Sequence, residues 1–145
     1  MSQVSERVQE FFRDYERGVN EGAAEDVALQ YAESFLFAGA RGAQTVRRQD
    51  LVNALGKRQG LFAATGLTSS KISSLEETRL DANYIVVKVY WVMRFEKDPQ
   101  HPIDDQNAAT YILYQQDDAL RIVFQLDHQD LIKRAQELGL LPEQN

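Results

Sequence analysis

The chain has no cysteine. That excludes disulfides, thiolate metal sites and a cysteine nucleophile. Its two histidines, with no thiolate to join them, cannot assemble the usual zinc ligand sets. No apolar run approaches the roughly 18 residues of a membrane span, and the opening MSQVSERVQEFF lacks the basic and apolar regions of a signal peptide. A soluble, cytoplasmic protein without a membrane partner is therefore expected. Positive charge is outnumbered, 16 Lys and Arg against 22 Asp and Glu, and a net charge of −6 argues against general nucleic-acid binding. The segment Gly39-Ala-Arg-Gly42 is too short for a phosphate loop, and no nucleophile elbow or calcium loop is present. Neither a metal nor a cofactor is expected.

What is present suffices for one domain over residues 1–145. A chain of this size buries about 70% of its unfolded surface and needs no staple. The richest segment is YIVVKVYWVMRFE at 84–96. Its odd positions, Ile85, Val87, Val89, Trp91, Met93 and Phe95, are all apolar, so they form one buried face of a long strand. The even positions mix Tyr84, Lys88, Tyr90, Arg94 and Glu96 with Val86 and Val92. That face is too apolar to be plainly solvated, which points to a partner.

Helical patterns precede this strand. Val4, Val8, Phe11, Phe12, Tyr15 and Val19 recur every three or four residues and predict a helix over 5–20. A shorter helix is expected over 24–31, a strand over 34–40 and a loop opened by Gly39 and Gly42. A third helix is expected over 49–64, stopped by Gly66, with Gly56 and Gly60 marking close packing or a bend. Arg41, Arg47, Arg48, Lys57 and Arg58 cluster around it and read as a solvated face.

Period-two patterns then predict a polar strand over 69–80 near an edge, the long strand, a loop over 97–107 and a strand over 108–116. Asp117-Asp118 is a hairpin turn into a last strand, with Leu120, Ile122, Phe124, Leu126 and His128 on one face. A short helix over 129–138 follows, with Asp127 as its cap and Asp130 in the capping-box position.

Helices followed by a strand meander make an α+β fold, a curved antiparallel sheet packed on N-terminal helices with a short C-terminal helix. The segments VQEFFRDYERGVNEG, DVALQYAESFLFAGARG, RRQDLVNALGKRQGLFAATG and ALRIVFQLDHQDL resemble the nuclear transport factor 2-like superfamily, including its SnoaL-like and ketosteroid-isomerase branches. The resemblance covers nearly the whole chain and rests on order and pattern. It implies a cone whose bent sheet wraps the helices around a pocket, and a homodimer through the outer sheet face.

The same resemblance assigns Tyr15 a hydrogen bond into the pocket; otherwise it is a core tyrosine bonded to a backbone carbonyl. The isomerase branch also needs pocket carboxylates, and none lies within 85–94, 108–116 or SFLFAGA. Glu33 is the fallback base. His128, at the strand end with inward parity, is the candidate proton-transfer group, or else a rim residue. His101 reads as solvated. Trp91, Met93, Tyr111, Phe124 and Phe37 are expected to line an apolar pocket, or to fill the core. Three functions compete: a module binding a small apolar metabolite, which is favoured; an isomerase, cyclase or dehydratase using His128 and Tyr15; and a protein-interaction domain.

Overall fold

Ser5 caps the first helix, α1 (Glu6–Glu21), by accepting from the Val8 amide, and Gly22 ends it in the left-handed region at φ 70°. Val8, Phe12, Tyr15 and Gly18 form its buried face. A Cβ on Gly18 would lie 2.7 Å from Val27 Cγ2, so this glycine is where α2 (Ala24–Ala28) packs on α1. The computed structural model describes residues 4–142. The other elements are β1 (Tyr31–Gly39), β2 (Gly42–Arg47), α3 (Arg48–Ala63), β3 (Leu67–Arg79), β4 (Tyr84–Phe95), β5 (Ile103–Gln116), β6 (Ala119–Asp127) and α4 (Leu131–Glu137).

The strands form one sheet in the order β2-β1-β6-β5-β4-β3. Every pair is antiparallel except β1 with β6. The α+β layout matches the expectation, with three corrections. The loop expected after Gly39 is a turn, and Gly39 pairs with Gly42 to start the edge strand β2. The segment read as a loop over 97–107 already carries the start of β5, because Asp104 and Ile103 pair with Arg94 and Phe95. Helix α2 stops at Ala28, and β1 starts at Tyr31.

All six inward residues of β4 are buried. Ile85, Val87, Val89 and Trp91 join Val8, Phe12 and Tyr15 of α1 and Tyr111 and Leu113 of β5 in the main core. Met93 and Phe95 pack with Phe62, Ala135 and Leu140 in a smaller cluster under α4. Burying each large apolar side chain contributes about 1.5–3 kcal/mol, which fixes α1 against the concave sheet face. The edge strand β3 is bulged, and polar side chains of α1 take up its backbone groups. Asn20 exchanges two hydrogen bonds with the Ser70 backbone, at 2.7 and 2.8 Å, and Glu16 accepts from the Ile72 amide. Covering the backbone of an edge in this way removes a template for strand addition.

One irregularity decides the site. Leu113 pairs with Ile122 and Ile112 pairs with Phe124, so Val123 is an extra residue on β6. A bulge of one residue inverts the facing of everything after it. Leu120 and Ile122 point to the core, as the alternation predicts. Beyond the bulge Gln125 and Asp127 face inward, paired with Tyr111 and Ala109. Phe124 and Leu126 face outward beside Ile112 and Thr110.

Candidate functional site

Inward-facing side chains of β4, β5 and β6 meet α1 and α3 around a cavity of about 150 Å³. Trp91, Met93, Phe62, Leu55, Val19 and Val27 make its walls apolar. The space exists partly because Ala109, between Val89 and Asp127 in the ladder, carries only a methyl group. Outside it lies a groove of about 650 Å³ between the β1–β2 hairpin, α3 and the start of α4. Arg58, Phe62, Asp127, Gln129 and Leu131 line both spaces and form their junction.

A single chain of hydrogen bonds crosses the inner wall. Tyr111 Oη donates to Tyr15 Oη at 3.5 Å, Tyr15 and Tyr31 hydroxyls lie 2.7 Å apart, and Tyr31 donates to Gln125 Oε1 at 2.5 Å. Gln125 Nε2 then donates to Asp127 Oδ1 at 2.9 Å. Tyr31 spends its one proton on Gln125, so Tyr15 is the donor between the two tyrosines. Every donor thus points the same way, and the chain ends at the Asp127 carboxylate. The other Asp127 oxygen lies 3.9 Å from Arg58 Nη1. Burial pushes the Tyr31 and Tyr111 hydroxyls well above the ordinary tyrosine range and raises Tyr15 as well. All three therefore stay protonated donors at neutral pH.

Asn107 stands on the same inward face of β5, opposite Trp91. Its Nδ2 is buried and has no hydrogen-bond partner among the described residues. Asn107 lines the inner cavity, which thus combines a side-chain amide (Asn107), a carboxylate acceptor (Asp127) and largely apolar walls. Among the described residues no cluster of three histidine, cysteine or acidic side chains could hold a metal ion. No described helix is long and apolar enough to cross a membrane.

Four of the residues singled out from the sequence, Tyr15, Trp91, Met93 and Tyr111, come together on this cavity. Tyr15 bonds to tyrosine hydroxyls rather than to a backbone carbonyl. Phe37 lines the outer groove instead. The expectation fails for Phe124 and His128, because the Val123 bulge turns both to the outer face. His128 is exposed, and its Nε2 lies 2.7 Å from Thr110 Oγ1. Thr110 and the cavity-lining Tyr111 are neighbours on opposite faces of β5, so His128 and Tyr15 do not converge. Glu33 is exposed, and so is His101, paired with Asp98 at 2.8 Å.

Two further expectations are overturned: Asp127 as a helix cap, and a pocket free of carboxylates. Asp130 caps α4 by accepting from the Lys133 amide at 3.1 Å, and Asp127 lines the cavity. Sequence reasoning also misses Gln125, Asn107 and Arg58. The available signal is the pair of polar residues two apart, Gln125 and Asp127, at the end of an otherwise apolar strand.

Residues 2–130 match a family described as "NTF2-like protein (DUF6841)". No curated protein matches the chain. Among solved structures the fold is similar to Aln2 from a Streptomyces species, with a TM-score of 0.71 at 13% identity over 92% of this chain and 99% of that one. An NTF2-like protein with a cystatin-like fold from Novosphingobium aromaticivorans gives 0.70 at 16% identity, over 95% and 88%. A protein from Catenulispora acidiphila, solved in complex with S-DNPA, gives 0.68 at 13% identity, over 89% and 95%. At such identities the likeness shows the fold alone.

Proposed function

The chain belongs to the NTF2-like family DUF6841, and on that premise we propose that it binds a small, largely apolar molecule bearing a hydrogen-bond acceptor in the inner cavity. The observation that carries this reading is the unpartnered Asn107 Nδ2 beside a cavity walled largely by apolar side chains. A buried donor left unsatisfied costs about 1–3 kcal/mol, which an acceptor on the ligand recovers. A cavity near 150 Å³ suits a body the size of one six-membered ring. The test is thermal denaturation with monocyclic ketones, amides and acids. Binding raises the melting temperature by the amount RT ln(1 + [L]/Kd) implies. Ala109→Leu, which fills the cavity, should abolish the response, and His128→Ala should preserve it. Failure of every compound to stabilise the wild type would sink the proposal.

A second reading is proton transfer at a carbon beside the ligand's carbonyl. Asp127 favours it, as the one carboxylate lining the cavity among the described residues. Asp127→Asn would then keep binding and lose turnover; unchanged turnover would remove the reading.

The outer sheet face supports a homodimer. Leu36, Phe124, Ile112 and Val86 stand in one row across four strands. Native mass spectrometry should give a dimer that Ile112→Lys dissociates; a wild-type monomer would end that reading.

A further inference from the structure

The outer groove differs in charge from the rest of the molecule. The chain is acidic, with a net charge of −6, yet the charged groups lining the groove are Arg41, Lys57 and Arg58 against Asp127 and Asp130. Three cations therefore face two carboxylates. Asp130 is occupied twice, by the Lys133 amide and by Arg41 at 3.4 Å. Asp127 already accepts from Gln125. Lys57 makes no ion pair among the described residues.

Arg58 stands at the junction of groove and cavity. Its nearest acid, Asp127, is 3.9 Å away, too far for a hydrogen bond. The guanidinium carbon lies 5.4 Å from the ring centroid of Phe62, one turn further along α3. Its side chain is 42% exposed, so its donors remain open to the groove. A planar cation with unspent donors matches a carboxylate's two oxygens.

We infer that the groove takes a carboxylate carried by the same ligand, so that the preferred ligand is a small cyclic organic acid bound as its anion. The ring lies in the inner cavity, and the carboxylate meets Arg58 at the junction with Lys57 behind it. This rests on the reading of the inner cavity as the apolar subsite.

The experiment is calorimetric titration with 3-phenylpropanoate and its uncharged, nearly isosteric amide. The acid should bind the wild type about tenfold or more tightly than the amide. Added salt should weaken the acid alone. Arg58→Gln should erase the preference while leaving the amide's affinity in place, and Arg58→Lys should restore part of it. Lys57→Gln should reduce the preference by a smaller factor. Equal affinities for acid and amide in the wild type would overturn the inference and leave the apolar subsite standing. So would equal weakening of both by Arg58→Gln. Acid binding that survives Ala109→Leu would instead detach the anion from the inner cavity and overturn the joint site. If neither compound binds the wild type, the joint site falls, while the inner-cavity reading stands or falls by the thermal-denaturation test.

Discussion

The two walls of the cavity are built differently. The sheet wall, from β4 to β6, buries every inward residue of β4, and a hydrogen-bonded line runs from its Tyr111 through Tyr15 of α1 and Tyr31 of β1 to Gln125 and Asp127. The α3 wall buries only Phe62 fully, has no side-chain cap at Arg47, and carries Gly56 and Gly60. A Cβ at either glycine would meet nothing within 4 Å, so there is no close packing at these glycines. The two walls therefore have separate tasks. The sheet holds the polar groups at fixed positions, while α3 supplies Arg58 and Phe62 from an element with little anchoring of its own.

The sharpest break in that contrast lies at Gly66, which joins the end of α3 to β3. It sits at φ 77°, and a Cβ there would collide with the Lys97 backbone nitrogen. Left-handed strain and overpacking act together, so Gly66→Ala should cost about 3 kcal/mol in urea denaturation. A loss below about 0.5 kcal/mol would show that the two walls are not joined rigidly there.

Next comes Tyr31→Phe, which strips Gln125 Oε1 of its donor and Tyr15 of its acceptor. It should cost about 2 kcal/mol, whereas Tyr84→Phe on the exposed face should stay within about 0.5 kcal/mol. Equal effects would mean that the buried line does not stiffen the sheet wall.

The same tyrosines set an alkaline limit. Their folded pKa values are raised above the ordinary 10.0 by burial, so the unfolded chain releases protons first as pH rises. Their stabilisation is complete below about pH 10 and is lost progressively above it. Denaturation midpoints should fall from that pH upward, and less steeply in Tyr111→Phe. A flat profile through pH 11, a value about one unit past the tyrosine range, would contradict the burial of these hydroxyls.

The smallest effect belongs to the helix wall. Gly56→Ala and Gly60→Ala, in open space at ordinary helical φ, should each stabilise by about 0.5–1 kcal/mol. Destabilisation by either would show that α3 is packed more tightly than its surroundings indicate.

Most elements were legible because their patterns are local. The inward run of β4, the apolar stripe of α1 and the Asp117-Asp118 turn into β6 each depend on neighbours a few residues away. Strand β2 was not legible, since GAQTVR has no apolar alternation and exists as a strand only through its pairing with β1. The start of β5 was hidden for a similar reason. Asp104 and Asp105 read as loop chemistry, but pairing with β4, and the bond from Arg134 to Asp105 at 3.0 Å, hold them in a strand.

The site divides along the same line. Tyr15, Trp91, Met93 and Tyr111 were found from periodicity, because α1, β4 and β5 keep an unbroken register around them. His128 and Asp127 exchanged roles at Val123. Period-two alternation carries facing along a strand only while the ladder is regular, and one inserted residue reverses it. Local pattern alone settles most of the helices and strands and which faces of β4 and α1 are buried, because hydrophobic burial acts residue by residue. Only the tertiary structure decided which acid enters the cavity, because that depends on where β6 bulges against β5, a choice made between strands and not within one.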